Sequence, residues 1–212
     1  IAALDNDFGV TGVAPESRIF SAKILTSKGV GSNSSLAEGI RSCVAHGARV
    51  INMSVGFPKE SSLVRNAIED AQAQGVILVA AAGNERAGVL YPAKYPGVIA
   101  VSAVDQTLKL ASFSNHGPEI SFAAPGASIL STALKSRYAR MNGTSMATPH
   151  VAGVAALMLA SKNSQLRAEN LQLGRNEQGA GLISATRTVI PDELGTGWTA
   201  AGSNFASTMN AK

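Results

Sequence analysis

The chain has 212 residues and a mass of 21.7 kDa, enough for one substantial core and too short for two comfortable domains. Its formal charge is only +4 and its basic residues are scattered, which excludes a Lys/Arg footprint for nucleic acid. The single cysteine, Cys43, excludes an internal disulfide and any cysteine-based metal cluster, and no run reads as a signal peptide, polybasic anchor or membrane span.

The chain opens on Ile1 instead of methionine, so it is expected to be processed, nicked or excerpted. Asp5 to Pro15 gathers two carboxylates, an amide and two glycines in a tight polar loop. That loop reads equally as a plain turn or as a hard-cation loop lined by oxygens, though its spacing is not that of an EF-hand. Arg18 to Leu25 alternates and is rich in branched residues, which predicts a strand. After the glycine-rich loop Gly29 to Ser35, Ser34 or Ser35 caps a predicted helix over Leu36 to His46, ended by Gly47. Leu36, Ile40, Cys43 and Val44 share one face of it.

Arg49 to Val55 is a short apolar strand stopped by Gly56-Phe-Pro. A second helix opens at Ser61 or Ser62, turns Leu63, Ala67, Ile68 and Ala71 inward, and closes at Gly75. Val76 to Ala82 is apolar throughout, as a central parallel strand is. Val98 to Val104 is another strand, and Ile120 to Ala123 and Ser128 to Ser131 are short extended pieces. The alternation gives βαβ units with right-handed crossovers, hence a doubly wound α/β domain whose functional residues gather beyond the carboxyl ends of the strands.

A small-residue turn then runs into a long helix that is apolar nearly all round, with Ser145 as its expected first residue and Pro149 within its first turn. On spacing alone Ser145 is either a helix cap or a nucleophile beside unpaired N–H groups at the positive end of the helix dipole. Gly179 to Ala185 gives one last ordered turn, and the domain is expected to span residues 1–189, with 190–212 as an atypical polar tail.

Asn142 to Gly153, read as Asn-Gly-Thr-Ser-Met-Ala-Thr-Pro-His-Val-Ala-Gly, resembles the nucleophile motif of the subtilisin-like serine proteases without a substitution. Gly9 to Pro15, Val50 to Gly56, Ala81 to Asn84, Tyr91 to Pro96 and Phe122 to Gly126 are similar to further family segments and occur in family order. The resemblance implies a mostly parallel doubly wound sheet and a secreted serine endopeptidase that cuts polypeptide substrates. It implies that Ser145 attacks the peptide carbonyl and that the Asn84 side chain, otherwise a plain turn residue, donates to the oxyanion with the Ser145 N–H. Gly29, Val30 and Gly31 on one side and Ser54, Val55 and Gly56 on the other resemble the segments that sandwich an extended substrate. Ser54 to Gly56, Ala82, Gly83, Leu90 and Tyr91 line the pocket for the residue before the cut, which implies preference for a large apolar side chain. Leu90 stands where glycine is common in the family and narrows that pocket. Leu4, Phe8 and Val10 by their carbonyls, and Asn6 by its side chain, resemble the loop part of a calcium site that needs further oxygens.

The family's aspartate and histidine motifs do not occur in the chain, and Ile1 to Val10 resembles the family segment just after the histidine motif. The resemblance therefore implies a fold without its first strand and first active-site helix. Asp5 and Asp7 belong to the loop, His46 caps a helix, His116 lies in a turn, and His150 is too far along the helix from Ser145. Two accounts stay open: a protease completed by a complementary N-terminal fragment, or an inactive module that binds extended apolar peptides. Either way the strands flanking the gap are left with unpaired backbone groups, so the isolated chain is expected to be poorly stable or to associate. Lys162 to Gly179 is shorter and more polar than its family counterpart, and Ile190 to Lys212 matches none.

Overall fold

A computed structural model describes residues 1–161 and 165–185; the predicted tail over 190–212 lies outside them. The main sheet has six strands in the order β1-β2-β3-β4-β8-β7. These are β1 (Val50–Met53), β2 (Ile77–Ala81), β3 (Ile99–Val104), β4 (Ile120–Pro125), β7 (Ala168–Glu169) and β8 (Leu182–Ile183). Neighbours from β1 to β8 pair in parallel, and only β7 runs antiparallel, on β8.

The reason for the two-sided sheet is visible in β2, where every residue is buried. Leu78 and Ala80 point to one layer, packed under α1 (Asn33–Ala45) and α2 (Ser62–Ala73). Ile77 and Val79 point to the other, with Val151, Ala152 and Ala155 of α3 (Thr144–Ala160). Alternate residues of one apolar strand thus bind two helix layers, as a doubly wound sheet requires.

Details of the helices differ from the sequence reading. Ser32, not Ser34 or Ser35, caps α1, because its side chain accepts the Ser35 N–H while Ser35 reaches back to the Ser32 N–H in a capping box. In α2 the inward residue is Val64, and Leu63 stays 51% exposed, since Val64, Ala67, Ile68 and Ala71 form the tighter stripe. The extended piece near Ser128 is half of a hairpin, β5 (Ile129–Ala133) with β6 (Arg137–Met141), outside the main sheet. A one-turn helix, α4 (Arg175–Gln178), precedes β8.

The largest departure is Arg18 to Leu25. Among the described residues it joins no ladder, and Leu25 makes only an isolated bridge to Gly31. Ile19 and Phe20 stay exposed, while Ile24 packs on the α1 side of the core. The residues have strand chemistry and no strand beside them. Correspondingly, among the described residues β1 stands at the edge of the sheet, paired on one side only, although Ile51 and Met53 are buried.

Candidate active site

Adjacent parallel strands end together, so the loops leaving β1 and β2 come side by side. The first carries Ser54 to Gly56 and the second Ala82 to Asn84. The start of α3 faces both. Gly143 is its N-cap with φ of +150°, a conformation that a side chain would strain, and Thr144 is the first helical residue. Ser145 is therefore the second residue of the helix and not the first, still inside the turn whose N–H groups have no helical partner. Among the described residues no carbonyl accepts the Ser145 N–H. The Ser145 hydroxyl donates only to the Ser54 carbonyl, at a long 3.3 Å.

Asn84 is oriented by Thr144. The Thr144 N–H, which can only donate, lies 2.8 Å from Asn84 Oδ1, and the Thr144 hydroxyl lies 3.1 Å from the same oxygen. That fixes which end of the amide is oxygen, and it leaves Nδ2 as the free donor. Thr144 is fully buried, and its Oγ1 also accepts the Gly83 N–H at 3.1 Å. Asn84 Nδ2 and the N–H of Ser145, the residue after Thr144, are thus two unclaimed donors at the start of α3 among the described residues, and unclaimed donors are what holding a charge on a carbonyl oxygen requires.

Pro149 sits deeper in α3 than the sequence reading placed it, as the sixth helical residue. A proline there removes the N–H that the Ser145 carbonyl would otherwise accept. Ser54 compensates: its Oγ donates to the Ser145 carbonyl at 2.9 Å and accepts from Asn52 Nδ2 at 3.0 Å. A chain of side-chain bonds therefore runs from β1 to the backbone of the candidate nucleophile. Asn52 Oδ1 is buried and has no hydrogen-bond partner among the described residues, an orphan on the open-edge strand.

In the sequence Glu85 reads only as part of the loop after β2 and Asn115 only as a turn residue before His116; the structure joins them. Asn115 is fully buried. Its Oδ1 accepts the Glu85 and Ala87 N–H groups, and its Nδ2 lies within 3.1 Å of the Ala82 carbonyl, the Gly88 carbonyl and Glu85 Oε2. Glu85 Oε2 in turn accepts the Asn84 N–H at 2.8 Å. One amide side chain thereby holds both limbs of the loop that carries Asn84.

The walls of the predicted substrate pocket are brought together. Leu90 N–H donates to the Ala82 carbonyl at 2.9 Å, and Tyr91 and Phe57 exchange both backbone bonds, so Leu90 and Tyr91 bridge the two wall segments. Gly83, at φ of +113°, has no room for a Cβ, which would lie 2.2 Å from Asn115 Nδ2. The Leu90 side chain lies against both Gly56 and Gly83, since a Cβ built on either would come within 2.9 Å of Leu90 Cδ1. Gly29 to Gly31 forms a separate exposed turn, with Gly29 at φ of +73° and the Thr26 N–H donating to the Val30 carbonyl. Among the described residues no hydrogen bond joins it to Ser54, Val55 or Gly56.

No histidine or carboxylate among the described residues bonds to the Ser145 hydroxyl. His46 Nδ1 donates to the Ser42 carbonyl and its ring stacks on Phe20, and His116 is exposed. His150 Nδ1 donates to the Met146 carbonyl at 2.9 Å, one turn back along α3. Burial holds its pKa below the usual 6.5, with the bonds to the helix carbonyls opposing that shift only partly. Between the lowered folded value and 6.5 the unfolded chain binds the extra proton, so stability falls as pH drops through that window. Urea midpoints measured across it are expected to decline towards acid in the natural chain and to flatten in His150→Gln; equal slopes would remove His150 as the cause.

In the first loop, Leu4, Asn6, Phe8 and Val10 all border one cleft of about 630 Å3, which Tyr138 closes from the β5–β6 hairpin. Asp7 and Gly9, both at positive φ, make the loop's tight bends. Among the described residues no group of three or more His, Cys, Asp or Glu is placed to hold a metal.

Known proteins share this arrangement in sequence. The family model described as the subtilase family matches residues 1–187. A thermostable alkaline protease of Halalkalibacterium halodurans is 49% identical over 172 residues, covering 79% of this chain and 48% of that protein. The M-protease of Shouchella clausii is 44% identical over 87% of this chain and 51% of its own length. Subtilisin DY of Bacillus licheniformis is 46% identical over 92% of this chain and 69% of its own. The chain thus spans about half the length of the first two relatives.

Proposed function

This chain belongs to the subtilase family, and on that premise we propose that it carries the nucleophile and oxyanion site of a serine endopeptidase. The observation that carries the reading is the pair of unclaimed donors at the start of α3, Asn84 Nδ2 and the Ser145 N–H, the latter on the candidate nucleophile itself. In the proposed reaction Ser145 Oγ attacks a peptide carbonyl, its proton passes to a base, and the two donors hold the oxyanion until the amine leaves. An acyl-enzyme remains for water to hydrolyse. Polypeptide is the substrate, and secretion belongs to the same proposal; no helix among the described residues is long and apolar enough to cross a membrane.

The base has to come from polypeptide other than these described residues, since none of them reaches Ser145. A complementary N-terminal segment bearing an aspartate and a histidine meets that need. The open edge of β1, the unladdered Arg18 to Leu25 segment and the orphan Asn52 Oδ1 support it, because each lacks a partner among the described residues that an inserted strand would supply. The test is covalent labelling of Ser145 by a fluorophosphonate with and without such a segment.

Calcium is a structural part of the proposal. Three backbone carbonyls and one amide are the hard oxygens this ion takes, and two to four more are needed to reach about six to eight. A bound ion would fasten the first loop to the domain without taking part in the chemistry. At a calcium concentration of about 100 Kd the complemented protein is expected to gain about 2.7 kcal/mol. Thermal unfolding with calcium or chelator, in the natural chain and Asn6→Ala, checks this; identical curves in all four samples would remove the ion.

A further inference from the structure

We infer that Asn52 is a positioning residue for Ser145, acting through the Ser54 hydroxyl by setting where that hydroxyl's one proton points. The inference rests on the proposed reading of Ser145 as the nucleophile. Alternation along the edge strand puts Asn52 on the side that faces α3, since Ile51 and Met53 pack in the α1–α2 layer while Val50 packs in the α3 layer. Ser54, two residues further on, keeps that side and reaches the start of α3. A serine hydroxyl has one proton to give and lone pairs that accept. Asn52 Nδ2 donates to Ser54 Oγ at 3.0 Å, so the Ser54 proton is turned away from the amide and goes to the Ser145 carbonyl at 2.9 Å.

That carbonyl lacks its usual helical donor because Pro149 stands one turn on. Its neighbours are provided for within α3, where Thr148 Oγ1 donates to the Thr144 carbonyl and His150 Nδ1 to the Met146 carbonyl. Ser54 and Ser145 are in fact tied twice, since the Ser145 hydroxyl donates back to the Ser54 carbonyl at 3.3 Å. When that hydroxyl turns to attack, this second tie is released. The bond that Asn52 directs then keeps the backbone of the nucleophile on the end of β1.

The orientation of the amide supports this role. Turned over, Asn52 would present Oδ1 to Ser54, and two acceptors would compete for a single proton. The observed orientation removes that conflict and leaves Oδ1 buried without a partner among the described residues. An unpaired buried acceptor is costly, and an apolar side chain at this position would avoid the cost. What the amide does is therefore done by its other end, at Ser54. A donor brought to Oδ1 by an inserted strand would lock the same orientation.

The test compares the natural chain with Asn52→Asp, Asn52→Leu, Ser54→Ala and the double variant of Asn52→Asp with Ser54→Ala. NMR follows the Ser145 carbonyl carbon in the chain alone, and fluorophosphonate labelling is timed after adding the portion of Subtilisin DY upstream of its match to this chain. An ionised carboxylate in place of the amide draws the Ser54 proton to itself. Asn52→Asp is therefore expected to move the Ser145 carbonyl signal to where Ser54→Ala puts it, and to slow labelling about tenfold. Acid should reverse both, because a protonated carboxyl again donates to Ser54, so the ratio of variant to natural rate rises as pH falls. Asn52→Leu, the safer variant for folding, directs no proton and should lie between the two with no such rise. In the Ser54→Ala background Asn52→Asp should change neither readout, since the group it acts through is gone. A Ser145 carbonyl unmoved by Asn52→Asp, an unslowed rate, or an effect that persists in full without the Ser54 hydroxyl would overturn the inference. A natural chain that stays unlabelled with the added segment would instead sink the nucleophile reading, and the carbonyl signal would then decide the hold of Asn52 by itself.

Discussion

Incubated alone with a fluorophosphonate, the chain is expected to label at Ser145 no faster than an ordinary surface serine. Supplying an N-terminal segment with the family's aspartate and histidine should raise the rate by about 10²–10⁴-fold, the usual contribution of a positioned base. The hydroxyl itself is the reason. Among the described residues its only bond is a long one to the Ser54 carbonyl, which is no base for its proton. The proposed oxyanion donors act after attack has begun and do nothing to make the oxygen nucleophilic. Ser145→Ala must abolish the label, and Asn84→Leu should slow it by about ten- to 150-fold, the worth of one hydrogen bond to a charged group at about 1.5–3 kcal/mol. Rapid labelling of the uncomplemented chain would show that a base inside it had been missed. No labelling under any complementation, with retained affinity for extended peptides, would favour an inactive binding module instead.

What was legible in the sequence, and what was not, divides along a physical line. Elements that carry their own signal came through: the all-apolar run that became β2 needs only its composition to read as a central strand, and the buried α3 needs only its all-round apolar face. Ser145 and Asn84 stand out only through the family resemblance, since on spacing alone the one reads equally as a helix cap and the other as a turn residue after a strand end. Arg18 to Leu25 failed because a strand is a property of two chains: alternation gives a segment the capacity to pair, and a neighbour has to exist for the ladder to form. Pro149 was misplaced for a similar reason. Its cost inside a helix is bearable only because Ser54, 91 residues away in sequence from Ser145, takes the carbonyl it frees. No local pattern announces such a partner.

Asn115 is another partner of that kind, and replacing it is expected to cost about 3 kcal/mol or more. It arrives from the turn after β3, where the Ser114 hydroxyl accepts the Ala103 N–H, so its backbone is anchored to the sheet before its side chain meets the loop. Truncation to alanine takes away the acceptor for two N–H groups and the donor to the Gly88 carbonyl, at about 1–3 kcal/mol for each group that water does not reach. Asn115→Asp should be worse at neutral pH. It keeps the acceptor for Glu85 and Ala87 but turns the donor into a second negative oxygen beside Glu85 Oε2 and the Ala82 carbonyl. Like charges that close disfavour joint ionisation, so the aspartate variant should regain part of its lost stability as pH falls and one proton is shared, whereas the alanine variant should not. Urea unfolding with an unchanged m-value reads the stability. The Asn84 side-chain amide, tracked by NMR, reads whether the loop it sits on has lost its single orientation. Losses under about 1 kcal/mol in both variants, with the Asn84 signal unmoved, would show that the loop holds its shape through Thr144 alone.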